Sequence, residues 1–379
     1  MPKVLTIFGT RPEAIKMAPL VLALQLEPHL EHRLVVTAQH RGLLDDVLQV
    51  FGLSPDHDLD LMRERQSLEY ITAGVLTGIG DVLASERPDF VLVHGDTTTT
   101  FAAALAAFYA GVPVGHVEAG LRTSTVLRPF PEELNRRLAD VIATHYYCPT
   151  ARAAENIRAS HDLGGEVFVT GNTALDAVRM CRRMGYEYAD PQLAAFAAHR
   201  GPRLLVTAHR RENWGQPLED ICTGLLGALE DFPAAQICFC WHPNPVVRET
   251  VGALLGGNHR MLLCEPPRFD VFINLLADSD LILSDSGGIQ EEVTQLRRYV
   301  LVLREETERP EAVDSGFARL VGTDAGAIRS AVRETLPKCM PLDRGGTGEL
   351  PGSNASPFGD GYASEKIVAA IKQRLKAKG

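Results

Sequence analysis

Short apolar runs that end at a polar cluster and resume as a helical pattern constrain this chain more than any other feature. The stretch from Val91 to Arg137 does this twice. Val91-Leu92-Val93 ends at His94-Gly95-Asp96, after which four threonines lead into an alanine-rich helical pattern. The run Val112 to Val117 ends at Glu118-Ala119-Gly120, and a loop then brings Glu132 and Glu133 ahead of Asn135 and Arg136. Buried strands alternating with helices imply a parallel, doubly wound sheet. Such sheets put their chemistry beyond the carboxyl ends of the strands, where Asp96 and Glu118 fall.

The same unit recurs along the chain. Val4–Phe8 reads as a buried strand, Gly9 turns, and Thr10-Arg11-Pro12-Glu13 has the form of a capping box opening a helix to about Leu26. Helix N–H groups aimed at that turn favour an anion, and Arg11 and Lys16 add positive charge beside it. Strands follow at Arg33–Thr37, His145–Cys148 and Glu166–Thr170, with helices to about Phe51, over Gln66–Ala84 and to about Arg183. Ser54–Arg65 reads as loop, and the charged, turn-rich stretch 182–202 as a linker. The pattern then restarts, with strands at Arg203–Thr207, Gln236–Cys240, Met261–Cys264, Leu281–Leu283 and Val300–Leu303. Helices are expected from about Pro217, over Phe269–Ala277 and from about Ile289. Residues 342–361 are rich in Gly, Pro and Ser and read as loop, and a last helix spans about Ala363–Lys376.

At 379 residues the chain is too long for one hydrophobic core, so two domains are expected, an α/β fold of two successive halves. The net charge of −10 argues against general nucleic-acid binding, which needs an excess of Lys and Arg, but not against a nucleotide ligand. The seven cysteines are scattered without a C-x-x-C pair, so no disulfide framework and no metal site is expected, and a reducing cytosol fits. The first residues run straight into a strand without the features of a signal peptide, and no apolar run approaches the ~18 residues of a membrane span. A soluble, cytoplasmic protein is expected.

Three groups of residues carry chemistry. Ser286-Gly287-Gly288, between a strand and a helix, is either an anion cradle or a tight structural turn; it is not a Walker A loop. Glu292, six residues after Ser286, is either a ligand for a ribose hydroxyl pair or a solvated helix residue. His209, at a strand end with Arg210 and Arg211, suits a phosphate or sugar, and His242 is a weaker parallel. No G-x-G-x-x-G supports a dinucleotide, and no His/Cys spacing suits a metal. Asp96, Glu118 and Glu132 form the candidate acid/base set, since neighbouring carboxylates push one another's pKa values apart and supply both an acid and a base.

On these residues the chain resembles the non-hydrolysing UDP-N-acetylglucosamine 2-epimerases. The resemblance runs in one order through FGTRPEAIKMAPL from Phe8, TAQHR from Thr37, HGDTTTTFAAALAAFY from His94 and GHVEAGLRT from Gly115. PFPEELNR from Pro129, VTGNTALDA from Val169, TAHRREN from Thr207, SDSGGIQEE from Ser284, ERPEA from Glu308 and FGDGYAS from Phe358 continue it. It implies two Rossmann-like domains facing across a cleft, the glycosyltransferase-B arrangement, in a homodimer. The domains would be 1–182, 183–361 and a helical segment 362–379 returning to the first. The implied reaction interconverts UDP-GlcNAc and UDP-ManNAc for envelope polysaccharides, without a cofactor. UDP is eliminated with loss of the C2 proton, giving a 2-acetamidoglucal, and adds back with a proton delivered to the opposite face.

Carried over by position, the resemblance makes Asp96, Glu118 and Glu132 the acid/base residues, with their division of labour open, and places His209 at the diphosphate. Arg11 and Lys16 would face the substrate from the first domain. In the second, Phe272 would lie at the uracil, Ser286, Gly287 and Gly288 would hold phosphate, Glu292 would bind ribose, and Arg309 would be a further nucleotide contact. Many bacterial members bind a second UDP-GlcNAc as activator, and Gln39, Arg65, Gln66, Arg210 and His242 match that site. Four places depart from the family. Pro267 stands where Gln is frequent, leaving only a backbone contact, and Gly42 stands where Gln or Glu is usual. Leu127-Arg128 replaces an aromatic and a Ser, and Gln295-Leu296-Arg297-Arg298 replaces a common Leu-Gly-Lys-Pro. The alternatives are a hydrolysing 2-epimerase releasing ManNAc and UDP, a glycosyltransferase on the same nucleotide site, and an inactive UDP-sugar sensor; the three carboxylates count against the last two.

Overall fold

The structure, a computed structural model, describes residues 1–39, 41–63, 66–123, 125–160, 164–242, 244–349 and 355–376. The chain divides into two compact units, one of Met1–Met180 with Phe358–Gly379 and the other of Cys181–Pro357.

Unit 1 runs β1 (Lys3–Phe8), α1 (Arg11–Gln25), β2 (Glu31–Val36), α2 (Arg41–Phe51), β3 (His57–Asp58), α3 (Leu68–Glu86), β4 (Phe90–His94) and α4 (Thr98–Tyr109). It continues with β5 (Val114–Val117), α5 (Glu132–Ile142), β6 (His145–Cys148), α6 (Ala151–Arg158), β7 (Glu166–Val169) and α7 (Thr173–Cys181). Among the described residues these strands form one parallel sheet in the order β3-β2-β1-β4-β5-β6-β7. Consecutive residues of β1 and β4 are fully buried, as expected where helices cover both faces of a parallel sheet.

Unit 2 runs α8 (Pro191–Ala197), β8 (Arg203–Ala208), α9 (Gln216–Asp231), β9 (Gln236–Trp241), α10 (Pro245–Leu255), β10 (Met261–Cys264) and α11 (Phe269–Asp278). It closes with β11 (Leu281–Ser284), α12 (Gly287–Leu296), β12 (Val300–Val302), α13 (Pro310–Asp314), β13 (Ala318–Leu320) and α14 (Ala325–Cys339). Its sheet order, β10-β9-β8-β11-β12-β13, repeats that of unit 1 strand for strand from one edge. Both orders reverse direction once, between β1 and β4 and between β8 and β11, which is where a doubly wound fold binds its ligand. The α/β class with two Rossmann-like units stands as expected. The last helix, α15 (Ala363–Lys376), packs on α1 and buries Ile367, Val368 and Ile371 in one cluster with Met17, Leu20 and Leu24.

Local differences from the sequence reading have physical causes. The expected linker contains α8, capped by Asp190, which accepts from the backbone of Gln192 and Leu193 and is pinned by buried Leu193 and Phe196. Seven residues with two anchors give too little periodicity to stand out in sequence. The loop 54–65 holds the two-residue β3, which exists only through its pairing with Val35 and Val36. Glu132 opens α5 instead of lying in the loop before it.

Candidate active site

In unit 1 the switch between β1 and β4 is built by polar turns. The capping box is present: Glu13 reaches back to the Thr10 N–H at 2.8 Å. Glu13 also accepts from the Gly9 N–H and from the hydroxyls of Thr10, Thr97 and Thr100, so one buried carboxylate ties the turn after β1 to the start of α4. Burial pushes the Glu13 pKa up, opposed by these donors. Gly9 has no substitute, because a Cβ there would stand 2.0 Å from the Thr37 hydroxyl oxygen. Thr97, not Asp96, caps α4 by accepting from the Thr100 N–H, which leaves the Asp96 side chain available for the site.

A cavity of about 340 Å³ opens on this edge, and Asp96, Glu118, Glu132 and Lys16 all line it, with Glu13, His94, Asn135 and Gln39. Glu118 follows β5 with φ of 64°, left-handed backbone that costs a non-glycine residue about 1–3 kcal/mol unless its surroundings hold it. Its Oε2 accepts from Lys16 Nζ at 2.5 Å and from Asn172 Nδ2 at 2.8 Å, so the side chain is fixed from α1 and from the turn after β7. Both donors favour the carboxylate form. His94 Nε2 lies 3.9 Å from the same oxygen. Burial holds the His94 pKa down at about 4, with Glu118 acting against that, so the ring is neutral at pH 7. Asp96 pairs with Arg136, and Asn135 donates to the Asp96 carbonyl.

The two adjacent glutamates of α5 part company. Glu132 faces the cavity, while Glu133 is fully buried and takes Arg136 at 2.9 Å, Arg137 at 2.7 Å and the Thr123 N–H at 3.2 Å. Behind the site, both ring nitrogens of buried His116 are committed, Nδ1 to Asp140 at 2.6 Å and Nε2 to the Gly95 carbonyl at 2.7 Å. His116 thereby fixes the turn that presents Asp96.

In unit 2 the switch between β8 and β11 is organised around Asp285. This buried carboxylate accepts from the backbone N–H of His209 and of Arg210 and from Asn213 Nδ2, each at 2.9 Å. Burial would raise its pKa, but the His209 ring 3.0 Å away and these N–H donors hold it below the usual carboxylate value. The Arg210 guanidinium bonds the Asp285 carbonyl and lies beside Gly287, 4.0 Å from where a Cβ would stand. Across the turn, the Cβ position of Gly288 lies 3.9 Å from both the Ser286 hydroxyl and Glu292. The rings of His209 and His242 stack with centroids 6.5 Å apart. A helix start with two glycines, flanked by an arginine, suits a phosphate.

Of the residues read from sequence, Asp96, Glu118, Glu132 and Lys16 meet at one cavity in unit 1; Arg11 begins α1 but is not among the residues lining it. His209, Arg210, Ser286, Gly287, Gly288, Glu292 and His242 gather at the unit 2 switch. Arg309 pairs with Glu291, and Phe272 is half-buried on α11, which packs beside α12. Pro267, half-buried, lies in the turn ahead of α11. Gln39 lines the unit 1 cavity and its carbonyl accepts from Gln66, whereas Arg65 lies outside the described residues. Sequence reading passed over Asn172, Arg136, His116 and Asp285. Asn172 and Asp285 carry the same strand-end signal as the residues that were chosen.

Known proteins share this arrangement of sequence and fold. The profile of a family described as UDP-N-acetylglucosamine 2-epimerase matches residues 22–372. The UDP-N-acetylglucosamine 2-epimerase of Bacillus subtilis is 45% identical over 369 residues, covering 97% of this chain and 94% of that protein. That of Escherichia coli K12 is 45% identical over 375 residues, covering 98% of each. The crystal structure of UDP-GlcNAc 2-epimerase from Neisseria meningitidis bound to UDP-GlcNAc superimposes with a TM-score of 0.87 at 42% identity, covering 98% of this chain and 100% of that one.

Proposed function

The chain belongs to the UDP-N-acetylglucosamine 2-epimerase family, and from that membership we propose that it interconverts UDP-GlcNAc and UDP-ManNAc by eliminating UDP and adding it back. The observation that carries the reading is the convergence of Asp96, Glu118 and Glu132 on one cavity beside Lys16. C2 of the sugar is not adjacent to a carbonyl, so its hydrogen is barely acidic, and removing it needs concerted departure of the C1 oxygen. One carboxylate takes the C2 proton as UDP leaves, giving the 2-acetamidoglucal. Another returns a proton to the opposite face as UDP adds back. A donor-binding protein without this chemistry has no use for three carboxylates there.

The unit 2 residues have the complementary task of stabilising the diphosphate as it departs. Ser286, Gly287 and Gly288 offer a hydroxyl and the N–H groups at the start of α12, His209 adds a donor, Glu292 takes the ribose, and Phe272 and Arg309 complete the nucleotide contacts. Arg11 adds positive charge in unit 1. A second UDP-GlcNAc would engage Gln39, Arg65, Gln66, Arg210 and His242 as an activator, with Gly42 weakening that site relative to Gln or Glu. We infer a cytoplasmic homodimer feeding envelope polysaccharide synthesis. Among the described residues no helix is long and apolar enough to cross a membrane.

Incubation with UDP-GlcNAc alone in D2O, followed by NMR, tests the chemistry. Deuterium at C2 of intact UDP-ManNAc is expected. Free ManNAc would identify the hydrolysing reaction instead, and no exchange without an acceptor would sink the epimerase reading. For activation, rates from UDP-ManNAc with and without trace UDP-GlcNAc should differ, and identical rates refute it.

A further inference from the structure

Three cysteines that look unrelated in sequence come together on the sheet of unit 2. The two-residue period of β9 puts Cys238 and Cys240 on one face, opposite Ile237 and Phe239, which pack into the core. Parallel pairing then sets Cys264, the last residue of edge strand β10, directly beside Cys240. Cys264 Sγ lies 3.4 Å from Cys240 Sγ and 3.6 Å from Cys238 Sγ, and all three sulfurs lie within 4.8 Å of one another. None is in a disulfide. Cys238 and Cys240 are buried, and Cys264 is half-buried at the sheet edge, which gives the cluster one open side.

We propose that Cys238, Cys240 and Cys264 form a three-thiolate binding site for one soft divalent d10 cation, of which Cd2+ is the diagnostic member and Zn2+ a second. A Zn–S bond of about 2.3 Å holds neighbouring sulfurs about 3.8–4.0 Å apart in tetrahedral or trigonal geometry, and the larger Cd2+ holds them a few tenths of an ångström further apart, so displacements of about half an ångström per sulfur suffice. Sulfur donors without oxygen select thiophilic ions over Mg2+ or Ca2+. Charge selects a divalent ion: three thiolates and a dication leave −1, whereas a monovalent ion leaves −2 in a mostly buried site. Each ligated thiol gives its proton to solvent, so binding tightens as pH rises.

The test is anaerobic titration of the fully reduced protein with CdCl2, followed through the ultraviolet thiolate-to-cadmium charge-transfer band. One equivalent per chain should saturate the band, and X-ray absorption on the 1:1 complex should give a shell with three sulfurs. Cys264→Ser should weaken Cd2+ by more than about 100-fold, beyond the 10–100-fold that outer-shell changes cost. Cys339→Ser, at a buried thiol in the core cluster of the same unit, should leave the titration unchanged. A shell without three sulfurs, a band that does not saturate near one equivalent, or equal behaviour of the two variants overturns the proposal. The absorption measurement needs no variant, so the result stands even where a substitution unfolds the chain.

Discussion

Glu118 and Asp285 each stand just beyond the end of a parallel strand, Glu118 after β5, one strand away from the switch of its sheet, and Asp285 after β11, at the switch itself, and they have opposite surroundings. Glu118 lines a cavity, is held by two side-chain donors on one oxygen, and sits on left-handed backbone. Asp285 is fully buried, receives two backbone N–H groups and a side-chain amide, and faces inward. A carboxylate that moves protons must be reachable by substrate and poised between two states. One whose charge is consumed by neighbouring N–H groups is poised for neither, and instead fixes the loop that carries His209 and Arg210. A carboxylate just beyond a strand end thus faces an open cavity in unit 1 and fills a closed turn in unit 2.

The sharpest way to break this contrast is to neutralise each carboxylate. Glu118→Gln keeps shape and hydrogen-bonding capacity but cannot take or give the C2 proton; C2 deuterium exchange should fall about 10³-fold, within the range for general acid–base groups. Its thermal midpoint should stay near that of the parent. Asp285→Ala should show the reverse order of effects. It leaves the Asn213 amide and two loop N–H groups without their acceptor and should cost unit 2 about 2–4 kcal/mol in urea unfolding. Both tryptophans, Trp214 and Trp241, lie in unit 2, so their fluorescence reports that unit alone. Equal losses of stability in the two variants would dissolve the distinction.

The contrast also marks how far the sequence was readable. The period and spacing of apolar runs disclosed the two α/β halves, because buried parallel strands are continuous apolar runs and each must be followed by a crossover. Asp96 and Glu118 were legible because strand ends are where polar residues interrupt such runs, and Glu132 because it follows the loop after the second of them. Asp285 carried the same signal within Ser284-Asp285-Ser286 and was passed over; nothing local separates a cavity from a filled turn, since that depends on what Asn213, remote in sequence, supplies. The pairing of Cys240 with Cys264 was invisible for the same reason: it rests on the register of two strands. α8 was lost because its stability comes from a cap and two buried side chains rather than from repetition.

Acid should separate the units next. In unit 1, burial holds His32, His94 and His145 each down at about 4. Between pH 6.5 and 4 the unfolded chain therefore binds protons that folded unit 1 refuses, and its stability falls as pH falls through that window. Glu13 and Asp176, pushed up by burial, act in the opposite sense and blunt the slope. In unit 2 burial lowers His242 as well, in the same sense as the three unit 1 histidines, and the depressed Asp285 contributes stability above its unfolded pKa and loses it only as pH falls through its lower folded value. Far-ultraviolet dichroism should thus decline on acidification before tryptophan fluorescence changes; the opposite order would overturn the assignment. His145 lies among the rings of Phe90, Tyr147 and Phe168, so His145→Phe should fit and should flatten the dichroism loss by roughly 1–3 kcal/mol over that window.

The smallest effect concerns how finely Glu118 is set. Asn172 does two things: Nδ2 donates to Glu118, and Oδ1 accepts from the Ala174 N–H at the start of α7. Asn172→Ala removes both, while Asn172→Asp keeps an oxygen for Ala174 and replaces the donor by a second negative charge. A hydrogen bond to a charged group is worth about 1.5–3 kcal/mol, so the alanine variant should lose about 10- to 100-fold in exchange at neutral pH. The pH profile is more telling than the rate. Losing a donor to the charged form raises the proton affinity of Glu118, and adding an anion raises it further. The acid limb of the exchange profile should therefore move to higher pH in the order parent, Asn172→Ala, Asn172→Asp. If Asn172 served only to start α7, the aspartate would behave as the parent and the alanine alone would differ.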